Sequence, residues 1–373
     1  MPGIVAEALA DRARNAVFRV LTVLAALACL PGCYVMQAAA GQAAVLARSE
    51  PIAQLVTDPE TPDPLRVRLE LVVEAREFAV RELGLPDGRS FRQYADLGRP
   101  YAVWNVVAAP EFSVTPRHWC YPVAGCVAYR GYFDERRAEA TARRLARRGD
   151  DVTVGGVATY STLGHLPDPV FNTMLGWRET RLVGTIFHEL AHERLYVPGD
   201  SGFNEAFASV VEQEGVRLWL RARGRDGEFE AYRAALAREV EFAELLRATR
   251  ERLQRLYASG APEPQLWADK QREFGRLKFE YTLLRARWGG HAGYDAWFAR
   301  PLNNAHLAAV ATYHDCVPGL QRELEAAGSL VAFYARAEEL ASLPFKERRA
   351  AVCESDPATV QGRRSAPVSS RST

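Results

Sequence analysis

Between Leu65 and Leu83 the apolar positions Leu65, Val67, Leu69, Val72, Val73, Ala75, Phe78, Ala79 and Leu83 recur at mainly helical spacing, and Gly84 and Pro86 end the run. A turn-rich break at residues 58–64 precedes it, and before that the Ala- and Gln-rich residues 37–48 read as a helix or an ordered lead from the membrane. The period then changes. Val103-Trp104-Asn105-Val106-Val107, Glu111-Phe112-Ser113-Val114 and residues 127–133 are short β-branched or aromatic runs divided by Pro and Gly, the pattern of a small sheet. A charged helix is expected over 135–148 and a further strand over 152–163. From Glu179 to Val352 the pattern is helical, with Arg-rich polar faces and apolar stripes. Residues 354–373 hold little that is apolar and are expected to be disordered. Helix, small sheet, then a helical majority makes an α+β fold, mostly helical, and not an alternating βα one.

The beginning of the chain follows a different logic. Arg12, Arg14 and Arg19 precede eleven largely apolar residues, 20–30, which fall short of the roughly 20 needed to span a bilayer and have the form of an export signal. Leu30-Pro31-Gly32-Cys33 resembles a bacterial lipobox. The resemblance implies that residues 1–32 are a removed signal peptide and that Cys33 carries acyl chains, tethering the protein to a membrane without crossing it. Tyr34 after the cysteine points, by analogy with lipoprotein sorting, to the periplasmic face of the outer membrane. The expected organisation is therefore signal 1–32, one domain over 33–353 and a tail over 354–373.

Export places the other cysteines in an oxidising compartment, where disulfides persist. Pro122 and Gly125 supply turn chemistry between Cys120 and Cys126, so this pair is expected to be bridged. Cys316 and Cys353 can make a second bridge, although four cysteines permit three pairings. Charge adds an exclusion: 47 Lys plus Arg balance 46 Asp plus Glu, a net charge of +1, and no basic block stands out as a nucleic-acid footprint.

One motif carries chemistry. His188-Glu189-Leu190-Ala191-His192 is His-Glu-x-x-His within a segment whose apolar residues Leu182, Val183, Ile186, Phe187, Leu190 and Ala191 have helical spacing. Four residues turn a helix by about 400°, so both imidazoles lie on one face, about 6 Å apart along the axis, and can reach one zinc ion. Glu189 lies beside that face and suits a general base. A third ligand is sought downstream. Leu195 and Pro198 occupy the positions where a metzincin has Gly and His, which excludes that solution. A turn through Pro198-Gly199-Asp200 leads into a second helix starting near Ser201 or Asn204, and Glu205 in its first turn can face back toward the histidines. Glu212, two turns on along the same face, is the alternative ligand or a supporting carboxylate, whereas Glu193 and Asp200 read as solvated.

His188-Glu189-Leu190-Ala191-His192 followed by Asn204-Glu205-Ala206-Phe207-Ala208 resembles the gluzincin metallopeptidase signature, with a connection shorter than in the best-known members. More of the chain resembles the proteobacterial family of predicted aminopeptidases: Gly32-Cys33, residues 119–126, Tyr129-Arg130-Gly131-Tyr132-Phe133, Tyr160-Ser161-Thr162-Leu163-Gly164, Asp168-Pro169, Leu302-Asn303-Asn304-Ala305 and Tyr313. The resemblance implies a zincin-like catalytic domain with a His188, His192, Glu205 zinc site, a peptide substrate, and aminopeptidase in preference to endopeptidase activity. It also implies that the strand ending at residues 160–164 offers an edge for the substrate backbone. Tyr281 and Tyr313 are candidate oxyanion donors that read equally well as helix-face residues. Asn303-Asn304 is either a helix cap or a substrate contact. A lipid-anchored zinc-binding envelope scaffold without turnover is the competing reading from another class.

Overall fold

The computed structural model describes residues 32–121, 125–162, 165–308 and 316–353. Residues 1–31 of the segment read as a signal, the tail after Cys353, Tyr313, Leu163 and Gly164 lie outside those residues, and of Gly32 and Cys33 only the backbone is described. Among the described residues there are eight short strands: β1 (Ser49–Pro51), β2 (Gln93–Ala95), β3 (Val103–Pro110), β4 (Trp119–Tyr121), β5 (Gly125–Val127), β6 (Arg130–Tyr132), β7 (Asp150–Val157) and β8 (Val170–Phe171). They make three small sheets, ordered β1-β2-β8, β6-β3-β7 and β4-β5. In the second, β3 is central and antiparallel to both neighbours, with Val103 opposite Val157 and Pro110 opposite Asp150, which leaves β7 as an edge. Cys120 and Cys126 face each other across the β4-β5 hairpin and form the expected disulfide.

Ten helices of eight or more residues are described: α1 (Gly32–Ala47), α2 (Asp63–Arg81), α3 (Glu135–Ala146), α4 (Glu179–Arg194), α5 (Ser201–Ala222), α6 (Glu228–Tyr257), α7 (Glu263–Arg287), α8 (Val317–Ala327), α9 (Leu330–Ser342) and α10 (Phe345–Val352). The fold is α+β and mostly helical, as the pattern predicts. Within the described residues no helix is long and apolar enough to cross a membrane.

Burial explains why β3 lacks polar alternation. Trp104 and Val106 pack with Tyr132 and with Ala138 and Ala142 of α3, while Val107 and Ala109 on the other face meet Ala305 and Ala308 of the short helix Asn304–Ala308. Both faces are apolar because both are covered. The stretch Glu111-Phe112-Ser113-Val114 is not the strand its composition suggests. Ser113 N–H closes a turn on the Pro110 carbonyl, and the Glu111 carbonyl accepts from the buried Lys270 ammonium at 2.8 Å and the Asn304 amide at 2.8 Å. Asn303 likewise donates to the Val152 carbonyl at 3.0 Å, and Asn304 accepts from the Tyr257 hydroxyl at 2.8 Å. The Asn303-Asn304 pair thus joins the α6–α7 pair to the sheet.

The main core lies between α2, α4, α5, α8 and α9. Phe78 of α2, Phe187 of α4 and Trp219 of α5 meet with ring centroids 5.3 to 6.2 Å apart, so the helix carrying the histidine motif is gripped from both sides. Two glycines permit the close α4–α5 approach. A Cβ on Gly215 would stand 2.7 Å from the Phe187 ring, and one on Gly184 would stand 2.9 Å from a Glu212 carboxylate oxygen. A second apolar cluster, including Leu246, Leu253, Phe274, Leu277 and Tyr281, holds α6 and α7 together.

Candidate metal centre

Helix α4 is apolar around most of its circumference, with Leu182, Val183, Ile186, Phe187, Leu190, Ala191 and His192 buried. Polar side chains on such a helix cost free energy unless something meets them. At His188 and His192 the two Nε2 atoms face each other 3.2 Å apart. Glu205 reaches them from α5, one oxygen 3.3 Å from His188 Nε2 and the other 3.7 Å from His192 Nε2. Donor atoms around a tetrahedral zinc stand about 2.0–2.2 Å from the ion and hence about 3.3–3.6 Å from one another, close to these separations. His188, His192 and Glu205 are the one group of three or more potential ligands found among the described residues, their donor atoms all within 4.8 Å of one another. Two imidazole nitrogens and a carboxylate also match the chemistry zinc prefers, so the residues present fit the metal.

Local sequence explains how Glu205 arrives there. Helix α4 stops at Arg194, and the connection back to α5 is held by Asn204, whose side-chain oxygen accepts from Val197 N–H at 2.8 Å while its amide donates to the Val197 carbonyl at 2.9 Å. Helix α5 begins at Ser201, so Glu205 is its fifth residue and sits just beyond the first turn in which a helix-start carboxylate is expected. Asp200 is not solvated. It is buried, its Oδ1 capping Phe203 N–H at 3.2 Å and its Oδ2 accepting from the Arg348 guanidinium at 2.8 Å.

Glu212 supports His188 from its other side. Its Oε2 lies 3.1 Å from His188 Nδ1, while its Oε1 accepts from the Tyr232 hydroxyl at 2.9 Å. A carboxylate there receives the Nδ1 proton and so turns Nε2 toward Glu205 and His192. Burial alone would lower the His188 pKa, but hydrogen bonding to Glu205 and Glu212 and the charges of Glu212 and Glu189 outweigh it and raise the value to about 10. His192, held down by burial and by the charge on His188, falls to about 4. Glu205 and Glu212 thus favour positive charge beside His188, whether it is a proton or a metal cation.

Glu189 is the remaining group of the motif. Burial raises its carboxyl above the usual range, against the opposing pull of His188 and of a hydrogen bond with Ser161. A carboxylate raised in this way is a better proton acceptor than an exposed one at neutral pH. Ser161 follows β7 and is fixed by the buried Asp168, which accepts from the Ser161 hydroxyl at 3.0 Å, the Thr162 N–H at 2.7 Å and the Thr162 hydroxyl at 2.8 Å. The segment after the edge strand is thereby brought to Glu189. The motif spacing does not reveal Ser161, Asp168 or Tyr232 as site residues: Ser161 meets Glu189 and Tyr232 meets Glu212 only through folding, and Asp168 acts through Ser161 and Thr162.

Tyr281 is placed elsewhere. Its ring stacks on Phe298 in the α6–α7 cluster and its hydroxyl donates to Asp295 at 2.5 Å, so it is committed to that helical pair. Cys316 and Cys353 form the second disulfide. No curated protein and no solved structure matches the chain. A family model described as "Putative aminopeptidase" matches residues 33–352, a span that contains the whole His188, Glu189, His192, Glu205 group, and the chain belongs to that aminopeptidase family.

Proposed function

We propose that the protein is a zinc-dependent aminopeptidase of the gluzincin kind, in which His188, His192 and Glu205 hold the metal and Glu189 is the general base. The observation that carries this reading is the convergence of three donor side chains from two helices within 4.8 Å, with Glu189 on the same helix face region. When bound, zinc polarises the scissile carbonyl and lowers the pKa of water toward about 7. The chain's own groups do the rest. Glu189 takes a proton from the attacking water and returns it to the leaving amine, with Ser161 beside its carboxylate. Glu212 holds the His188 ring in place. Along β7 the outer carbonyl of Val152 is occupied by Asn303, and the edge continues through Val154 and Gly156 toward Ser161, where an extended peptide backbone can pair.

The same reading puts the protein in the cell envelope, exported and anchored through acyl chains on Cys33 at the periplasmic face of the outer membrane. Two disulfides agree with an oxidising compartment. Tyr34, next to the anchor, is docked on the domain: it stacks on Tyr121 at 4.9 Å and its hydroxyl accepts from Gly131 N–H at 3.1 Å.

Zinc content and peptide cleavage test the function together. Purified protein is expected to carry one zinc per chain and to release the first residue of peptides with a free N-terminus, with N-acetylated peptides left intact. Cleavage of both kinds at internal bonds would make it an endopeptidase, and zinc without cleavage of either would make it a scaffold.

A further inference from the structure

Glu205 reaches the two histidines from the fifth position of α5. Its position depends on the backbone at the start of α5. Besides the local Asn204–Val197 pair, that start is fixed from a distant part of the chain. Arg348 Nε donates to Asp200 Oδ2 at 2.8 Å, with the two side chains only 5% and 1% exposed, and Asp200 Oδ1 caps Phe203 N–H. The same guanidinium donates through Nη1 to the Ala341 and Leu343 carbonyls at 3.0 and 2.8 Å, tying the end of α9 to the start of α5. Helix α10, which carries Arg348, is itself held by the Cys316–Cys353 disulfide to the residue before α8. A Cβ on Gly202, in the first turn of α5, would lie 3.3 Å from Arg349 Nη1 and 3.8 Å from Cys316 Sγ, so α10 and the disulfide rest directly on that turn.

A buried ion pair is weak evidence of stability, because apolar residues of similar volume often serve as well, whereas the planar fork of an arginine fixes directions. The geometry points to Arg348 as a positioning residue for the metal ligand Glu205, with the Cys316–Cys353 disulfide holding Arg348 in register. This rests on the zinc reading above and adds a dependence of metal binding on a segment that lies 148 residues from Asp200 in the sequence.

The test uses the full chain with its disulfides formed, the zinc dissociation constant from chelator competition, and the visible absorption of the Co2+-loaded protein. Arg348→Met is expected to weaken zinc about 10-fold or more and to shift the Co2+ bands, with helical content unchanged and with partial recovery in Arg348→Lys. The Cys316→Ser/Cys353→Ser variant is expected to move both readouts the same way, and it carries the test alone if Arg348→Met does not fold. Wild-type affinity and an unchanged Co2+ spectrum in a folded variant would overturn the inference while leaving the zinc reading intact. A wild-type chain that takes up neither metal would overturn both.

Discussion

Glu189→Gln is expected to reduce kcat by a factor of about 10² to 10⁴ while zinc content stays at the wild-type level. The glutamine matches the carboxylate in shape but cannot accept the proton that leaves water, so only the proton-transfer step is removed. At about 1.36 kcal/mol per decade, that loss corresponds to about 3–5 kcal/mol of transition-state stabilisation. The substitution also takes a charge out of a buried position where burial opposes ionisation. Thermal stability should therefore not fall. Turnover assays beside zinc analysis and a melting curve check all three, and full activity in the variant would remove Glu189 from the mechanism.

Glu205→Ala should act on the metal instead. Removing one of three ligands is expected to weaken zinc by more than the 10- to 100-fold typical of losing a residue behind a ligand. The same change is visible without turnover. A ligand at 100 times its Kd stabilises the folded state by about 2.7 kcal/mol, so zinc should raise the wild-type melting temperature and barely move that of the variant. Equal zinc-dependent shifts would mean that another carboxylate completes the set. Glu212 is the obvious substitute by sequence, yet it is already engaged by His188 Nδ1 and the Tyr232 hydroxyl.

The contrast between those two glutamates shows what could be read from the chain alone. His188, Glu189 and His192 are legible because one helix fixes their relation, and Glu205 because a short turn returns the next helix against the first. Telling a ligand from its support at Glu212 needs the packing angle of α4 on α5, which periodicity does not contain. Asp200 is misread as solvated because its partner, Arg348, is 148 residues away. The β1-β2-β8 sheet escapes for another reason: strands of three, three and two residues are too short to show a period. The residues 111–114 err in the opposite direction. Their β-like composition is overridden when Lys270 and Asn304 claim the Glu111 carbonyl.

Anomalous scattering at the zinc edge from crystals of the zinc-loaded protein checks the proposed site of His188, His192 and Glu205 without reference to turnover. A single strong peak is expected about 2.0–2.2 Å from His188 Nε2, His192 Nε2 and a Glu205 carboxylate oxygen. A peak at other side chains, or none between these three, would contradict it.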